Sequence, residues 1–173
     1  PERSGERSAL TENLAASIYR QGEILQQQGR LAEAKQEYLR VLTVAPDTAV
    51  ARTAHYDAAM RAIDLAEWTL AVELLSSYRQ KYPLEAAAAE VGQKLVYSHQ
   101  QAGNPLAAAG ELLALESLVD AESGRKARFQ AAGLYQEAGR SEQAEEAYVT
   151  YVQKYPRPLE PAIQACASLV GIA

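Results

Sequence analysis

The sequence predicts an all-α fold, a right-handed superhelical solenoid of antiparallel helical hairpins with about four repeats and a C-terminal helix. Three observations predict it. Hydrophobic residues fill 48% of the 173 positions, and much of that share is alanine, which favours helix most strongly and lets helices approach closely. Pro46, Pro83 and Pro156 stand 37 and 73 residues apart, the second spacing close to twice the first. Apolar residues also recur at helical spacing, as in Ala54, Ala58, Ala62 and in Ala34, Tyr38, Leu42.

Aligning on the prolines brings Ala34, Ala71 and Ala144 into register twelve residues upstream, with Tyr38, Leu75 and Tyr148 four residues further along. A third unit has Asp120 in place of the proline and supplies Ala108 and Leu112 at the matching positions. One domain over 1–173 results, with repeats at about 12–46, 48–83, 84–120 and 123–156 and a terminal helix at 159–172. Turns divide each repeat at Gly29-Arg30, near Asp64-Leu65, at Gly103-Asn104-Pro105 and at Gly139-Arg140-Ser141. Glycine supplies the left-handed residue that stops a helix, and Ala66 replaces it in the second unit. Asn104 before Pro105 reads as an N-cap with proline at the first helical position; Ser141 is expected to cap in the same way. Trp68 begins a second helix in this reading. In the terminal helix Ile163, Cys166 and Leu169 share one face, expected to be the packed one, with Cys166 acting as a small buried hydrophobe. Residues 162–173 carry no charge and make a poor solvent-facing cap, so the chain is expected to belong to a longer protein.

Gly22, Gly29, Ala34, Tyr38 and Pro46 in the first unit, with Ala132, Tyr135, Gly139, Ala144, Tyr148 and Pro156 in the fourth, resemble the small, aromatic and proline positions of the tetratricopeptide repeat family. The resemblance spans roughly residues 15 to 156 and departs from the pattern at the aromatic position of the first helix, where Ile18, His55, Gly92 and Arg128 stand instead of Trp. The repeat endings at 77–83 and 151–156 are similar to those of divergent repeats in bacterial cell-envelope proteins, including outer-membrane assembly lipoproteins. That likeness implies the periplasmic side of a bacterial envelope; the cytoplasm is the alternative.

The family implies a protein–protein interaction scaffold whose concave wall is lined by the first helix of each hairpin. Carried over by register, its groove-facing positions are Tyr19, Glu23, Tyr56, Met60, Gln93, Tyr97, Phe129 and Gln136. Tyr19, Tyr56 and Phe129 occupy one repeat position, which predicts an aromatic ladder. Aromatic side chains dominate binding hot spots, at about 2 kcal/mol or more each. They also fill space between helices, and both roles are open here. Tyr38, Tyr78, Tyr135, Tyr148 and Tyr151 fall at packing positions. The basic clamp that some tetratricopeptide domains close on a C-terminal carboxylate needs Lys, Arg and Asn, where this chain has Tyr, Glu, Met and Gln.

The remaining chemistry is sparse. A net charge of −5, from 17 basic and 22 acidic residues with no basic run, argues against nucleic acid as a partner. No apolar stretch is long enough for membrane insertion. His55 and His99 lack the spacing of a metal site, Cys166 has no obligatory partner, and the isolated glycines do not form a phosphate loop. Glu145-Glu146 and the Asp120/Glu122 pair lack an apolar pocket that would tune a general acid. The sequence offers no catalytic residue, metal or cofactor, and the partner expected is a protein or peptide. A structural spacer, or self-assembly into a homo-oligomer through uncapped solenoid ends, is the competing reading.

Overall fold

The computed structural model describes residues 2–83 and 85–172, and among these there are nine helices and no strand. The chain divides into two compact units, Pro1–Pro83 and Leu84–Ala173. In the first, α1 (Glu2–Gln27), α2 (Leu31–Val44), α3 (Ala49–Asp64) and α4 (Trp68–Lys81) each pack on the next, and α1 also meets α3. The second holds α5 (Glu85–Gln101), α6 (Pro105–Leu115), α7 (Ala121–Glu137), α8 (Ser141–Lys154) and α9 (Leu159–Ile172), again packed in succession. Each unit is thus built from helical hairpins, the all-α repeat architecture that the 37-residue spacing predicts.

The four hairpin turns close alike. Gly29, Gly103 and Gly139 adopt φ of 75°, 71° and 69°, and Ala66 is forced to 57° at the same place. The following amides, Arg30, Glu67, Asn104 and Arg140, donate to the carbonyls of Leu25, Ala62, His99 and Tyr135 at 2.8–2.9 Å. A Cβ in this region costs about 1–2 kcal/mol, so the second turn is strained where the others are not.

Capping follows the sequence only in part. Asn104 accepts from the Ala107 amide at 3.2 Å and Pro105 opens α6, as expected. Ser141 does not cap α8: Arg140 holds the N-cap position without a side-chain bond, and Ser141 is already helical. The N-cap position directly follows the turn glycine, as Asn104 follows Gly103, so here it falls on Arg140 and Ser141 is one residue too late. Asp120, read from sequence only as a missing proline, is itself a cap, its Oδ1 accepting from the Glu122 and Ser123 amides at 3.0 Å.

Alanine and tyrosine build the cores. Ala34, Ala54, Ala58, Ala62, Ala71 and Leu75 are buried in the first unit; Ala108, Leu112, Ala131 and Ala144 in the second. Tyr38, Tyr78, Tyr135, Tyr148 and Tyr151 are all buried. Tyr38 and Tyr148 correspond by repeat, and each donates its hydroxyl to a glutamine twelve residues earlier, Gln26 at 2.9 Å and Gln136 at 3.2 Å. Gly22 makes room for the first ring, since a Cβ there would lie 2.6 Å from Tyr38 Cε1.

The terminal helix is turned differently from the expectation. Ala162 and Ala165 are buried against the second unit, and Leu169 and Ile172 pack on its core. Ile163 is 60% exposed, Cys166 is exposed and Val170 is 80% exposed. Cys166 is therefore not a buried hydrophobe: the small alanine stripe permits the closer approach to α8 and wins the interface, leaving Ile163, Cys166 and Val170 outside.

Candidate partner-binding faces

The first helices of the hairpins place the candidate residues as follows. In the first unit Tyr19 is half-buried on α1, its ring 5.2 Å from that of Tyr38, and its hydroxyl donates to Asp57 Oδ2 on α3 at 2.6 Å. Burial and then the Asp57 carboxylate push its pKa upward, so the phenol is held as a neutral donor. Glu23 is exposed one turn further, and its charge raises the Tyr19 and Tyr38 phenols as well. On α3, Tyr56 is half-buried with its ring 5.5 Å from Tyr78, and Met60 is half-buried one turn on.

In the second unit Gln93 is exposed and Tyr97 is 45% exposed on α5. Phe129, half-buried on α7, meets Tyr148 and Tyr151 edge-on at 5.7 and 5.3 Å. Gln136 is exposed but its carbonyl oxygen is engaged by Tyr148, which ties it to packing. Tyr19, Tyr56 and Phe129 thus each pack against a buried tyrosine of the helix that follows. Phe129 also lines an open hollow of about 320 Å³, with Tyr151 from α8, Arg125, Lys126 and Gln130 from α7, and Pro161 and Gln164 from α9.

The joints between successive hairpins hold side chains that the sequence reading missed. Glu116, just past α6, is 8% exposed. Its Oε2 accepts from Arg128 Nε at 2.8 Å, and its Oε1 from Lys154 Nζ at 2.9 Å and from the Tyr155 hydroxyl at 2.7 Å. Burial alone would push the carboxyl up, but the donors of Arg128, Lys154 and Tyr155 outweigh it and hold the pKa at about 2. Gly124 lets α7 come this close, because a Cβ there would sit 2.7 Å from the Glu116 carbonyl oxygen. Thr43, His55, Lys81 and Tyr82 stand 73 residues earlier at the same places. His55 is buried there, its Nε2 2.9 Å from Ser77 Oγ and its ring edge-on to Tyr78 and Tyr82. Burial lowers its pKa, so this histidine is a neutral packing residue. The one sequence signal of the clasp is that positions 43 and 55 carry Thr and His where 116 and 128 carry Glu and Arg.

Among the described residues no group of His, Cys, Asp and Glu is arranged to hold a metal ion, and no helix is long and apolar enough to cross a membrane.

Two family models for the tetratricopeptide repeat match, at residues 15–48 and 126–157. The chain belongs to the tetratricopeptide repeat superfamily. The first match covers α2 and the part of α1 that carries Tyr19 and Glu23; the second covers α8 and the part of α7 that carries Phe129 and Gln136. Solved structures share this fold. MamA from residue 41 to its end, from Desulfovibrio magneticus RS-1, is 16% identical over 80% of this chain and 74% of that one, with a TM-score of 0.55. YrrB, described as a TPR protein with an unusual peptide-binding site, is 17% identical over 87% and 75% with a TM-score of 0.55. No curated protein matches the chain. The tetratricopeptide repeat is a protein-interaction module, and proteins of this family are generally scaffolds rather than catalysts.

Proposed function

We propose that the first helices of the hairpins within each unit dock a segment of a partner protein, and that the chain carries out no chemistry of its own. One observation supports this most directly. Tyr19, Tyr56 and Phe129 recur at one repeat position, each half-buried with its ring packed against a buried tyrosine. A braced aromatic presents contact area with few rotors left to freeze, which favours binding. The peptide-binding site ascribed to YrrB supports the same use of a shared fold. Glu23, Met60, Gln93 and Tyr97 on the first helices add polar or flexible contacts, whereas Gln136 is held by Tyr148.

The test is capture of a partner by the wild-type chain compared with a Tyr56→Ala/Phe129→Ala variant, with helicity followed by circular dichroism. Loss of a captured protein by a folded variant is the expected result, each ring contributing about 2 kcal/mol. Capture that is unchanged overturns the reading.

Self-assembly has an observation of its own, the exposed row of Ile163, Cys166 and Val170 on α9. It predicts association at micromolar concentration that Ile163→Glu/Val170→Glu abolishes; sedimentation as a monomer throughout would dismiss it.

A further inference from the structure

The hollow beside Phe129 has a chemistry that narrows the partner, provided that the docking reading above holds. Its aromatic lining is Phe129 and Tyr151, and its cations are Arg125 and Lys126. Arg125 is half-buried and donates from Nη1 to the Tyr151 hydroxyl at 3.1 Å, a neutral acceptor. The Glu122 carboxylate, one turn earlier on α7, acts on Arg125 through its charge while its ion pair is made with Lys126. The neighbouring Lys126 is already paired with Glu122 at 2.6 Å on the exposed side of α7. A guanidinium has five donors in a planar fork, and one phenol leaves most of them unused.

Charge complementarity therefore selects the occupant. We propose that the hollow receives an acidic side chain, Asp or Glu, next to an apolar residue within a continuous partner segment, the carboxylate on Arg125 and the apolar group on Phe129 and Tyr151. Gln130 and Gln164 are exposed on either wall. Primary amides both donate and accept, which suits the main chain of a segment that runs through the hollow rather than ends in it. The volume of about 320 Å³ is at the small end of ligand hollows and suits a pair of side chains.

Two blocked dipeptides distinguish this from general stickiness: acetyl-Phe-Glu-amide and acetyl-Phe-Gln-amide, neither with a terminal charge. Titrated into the full, isotope-labelled chain, the Glu probe is expected to shift amide signals at 125–130 and 161–164 saturably, about five- to tenfold more tightly than the Gln probe. Arg125→Gln should erase the preference, Lys126→Gln, whose ammonium is already paired with Glu122, should reduce it less, and added salt should narrow it. On the wild-type chain the preference should also vanish as pH falls through the probe's own carboxyl pKa, near 4.3, a readout that needs no variant. Equal binding of the two probes, a preference that survives Arg125→Gln in a folded chain, or no shift at the hollow overturns the assignment. If in that case the Tyr56→Ala/Phe129→Ala variant still loses its captured partner, only the acidic specificity has failed and the docking function stands.

Discussion

The joint between α2, α3 and α4 and the joint between α6, α7 and α8 occupy the same places in the repeat, 73 residues apart, yet they are held by opposite chemistries. In the second unit a buried carboxylate, Glu116, gathers Arg128, Lys154 and Tyr155. In the first, Thr43 is exposed and turns its hydroxyl back to the Leu39 carbonyl, and His55 sits among Tyr78 and Tyr82. Lys81 donates instead to the Pro46 carbonyl at 2.8 Å, and the buried Tyr82 hydroxyl has no hydrogen-bond partner among the described residues. Lys81 and Lys154 nevertheless lie over the rings of Tyr82 and Tyr155 at 5.5 and 5.4 Å. The backbone repeat thus conserves the lysine–tyrosine platform and leaves open what sits on it. A clasp of charges gives a joint that is strong but depends on every member; an aromatic cage gives one that is tolerant but leaves a donor unmet.

The largest effect is expected at Glu116. Glu116→Ala leaves the Arg128 guanidinium without its acceptor and should cost about 3–5 kcal/mol, read as the melting of α6–α8 by hydrogen exchange. Glu116→Gln should lose nearly as much at neutral pH and flatten the acid limb. The sign follows from the depressed pKa: the carboxyl ordinarily titrates at 4.5 and is held at about 2. The clasp therefore stabilises fully above 4.5 and fades as pH falls towards 2, on the order of 3 kcal/mol in total.

Acid should also separate the two joints. Burial lowers the His55 pKa from 6.5, with the Lys81 charge acting in the same direction. The unfolded chain then takes up the proton first, so protection in α3–α4 should begin to fall as pH drops below 6.5, well before α6–α8 responds. His55→Phe should remove that early phase. A single acid transition shared by both joints would mean that the chemical difference carries no energetic weight.

Transplanting the clasp sharpens the comparison. Thr43→Glu/His55→Arg offers the Tyr82 hydroxyl and Lys81 a carboxylate and should stabilise the first unit by about 1 kcal/mol. Thr43→Glu alone should be neutral or unfavourable, a coupling that a double-mutant cycle measures.

At the hairpin turns the contrast is smaller. Ala66→Gly relieves the φ of 57° and should raise stability by about 0.5–1 kcal/mol, whereas Gly139→Ala should lower it by a similar amount. Both are measurable by chemical denaturation.

These joints also show what the sequence makes legible. Helices and turns are readable because their causes are local: a proline at a fixed interval, a glycine at φ near 70°, an alanine every four residues. The clasp is not local, since its donors come from 12, 38 and 39 residues away. Ser141 misleads because a capping residue type is not a capping position. Cys166 misleads because the Ile163, Cys166, Leu169 spacing marks an apolar face and the alanine stripe beside it marks the closer one. Register selects all eight candidate groove residues and sets Tyr19, Tyr56 and Phe129 at one position, while only the structure shows how those three are braced and that Gln136 is tied to Tyr148.

The docking account is tested most directly by site-specific photo-cross-linking. A benzophenone side chain replaces Tyr97 on the exposed face of α5, Gln130 at the hollow, or Val149 on the outward face of α8. Cross-linking of the same partner from positions 97 and 130, with none from 149, is the predicted result. A partner captured from 149 while 97 and 130 stay silent would place recognition on the second helices and contradict the account.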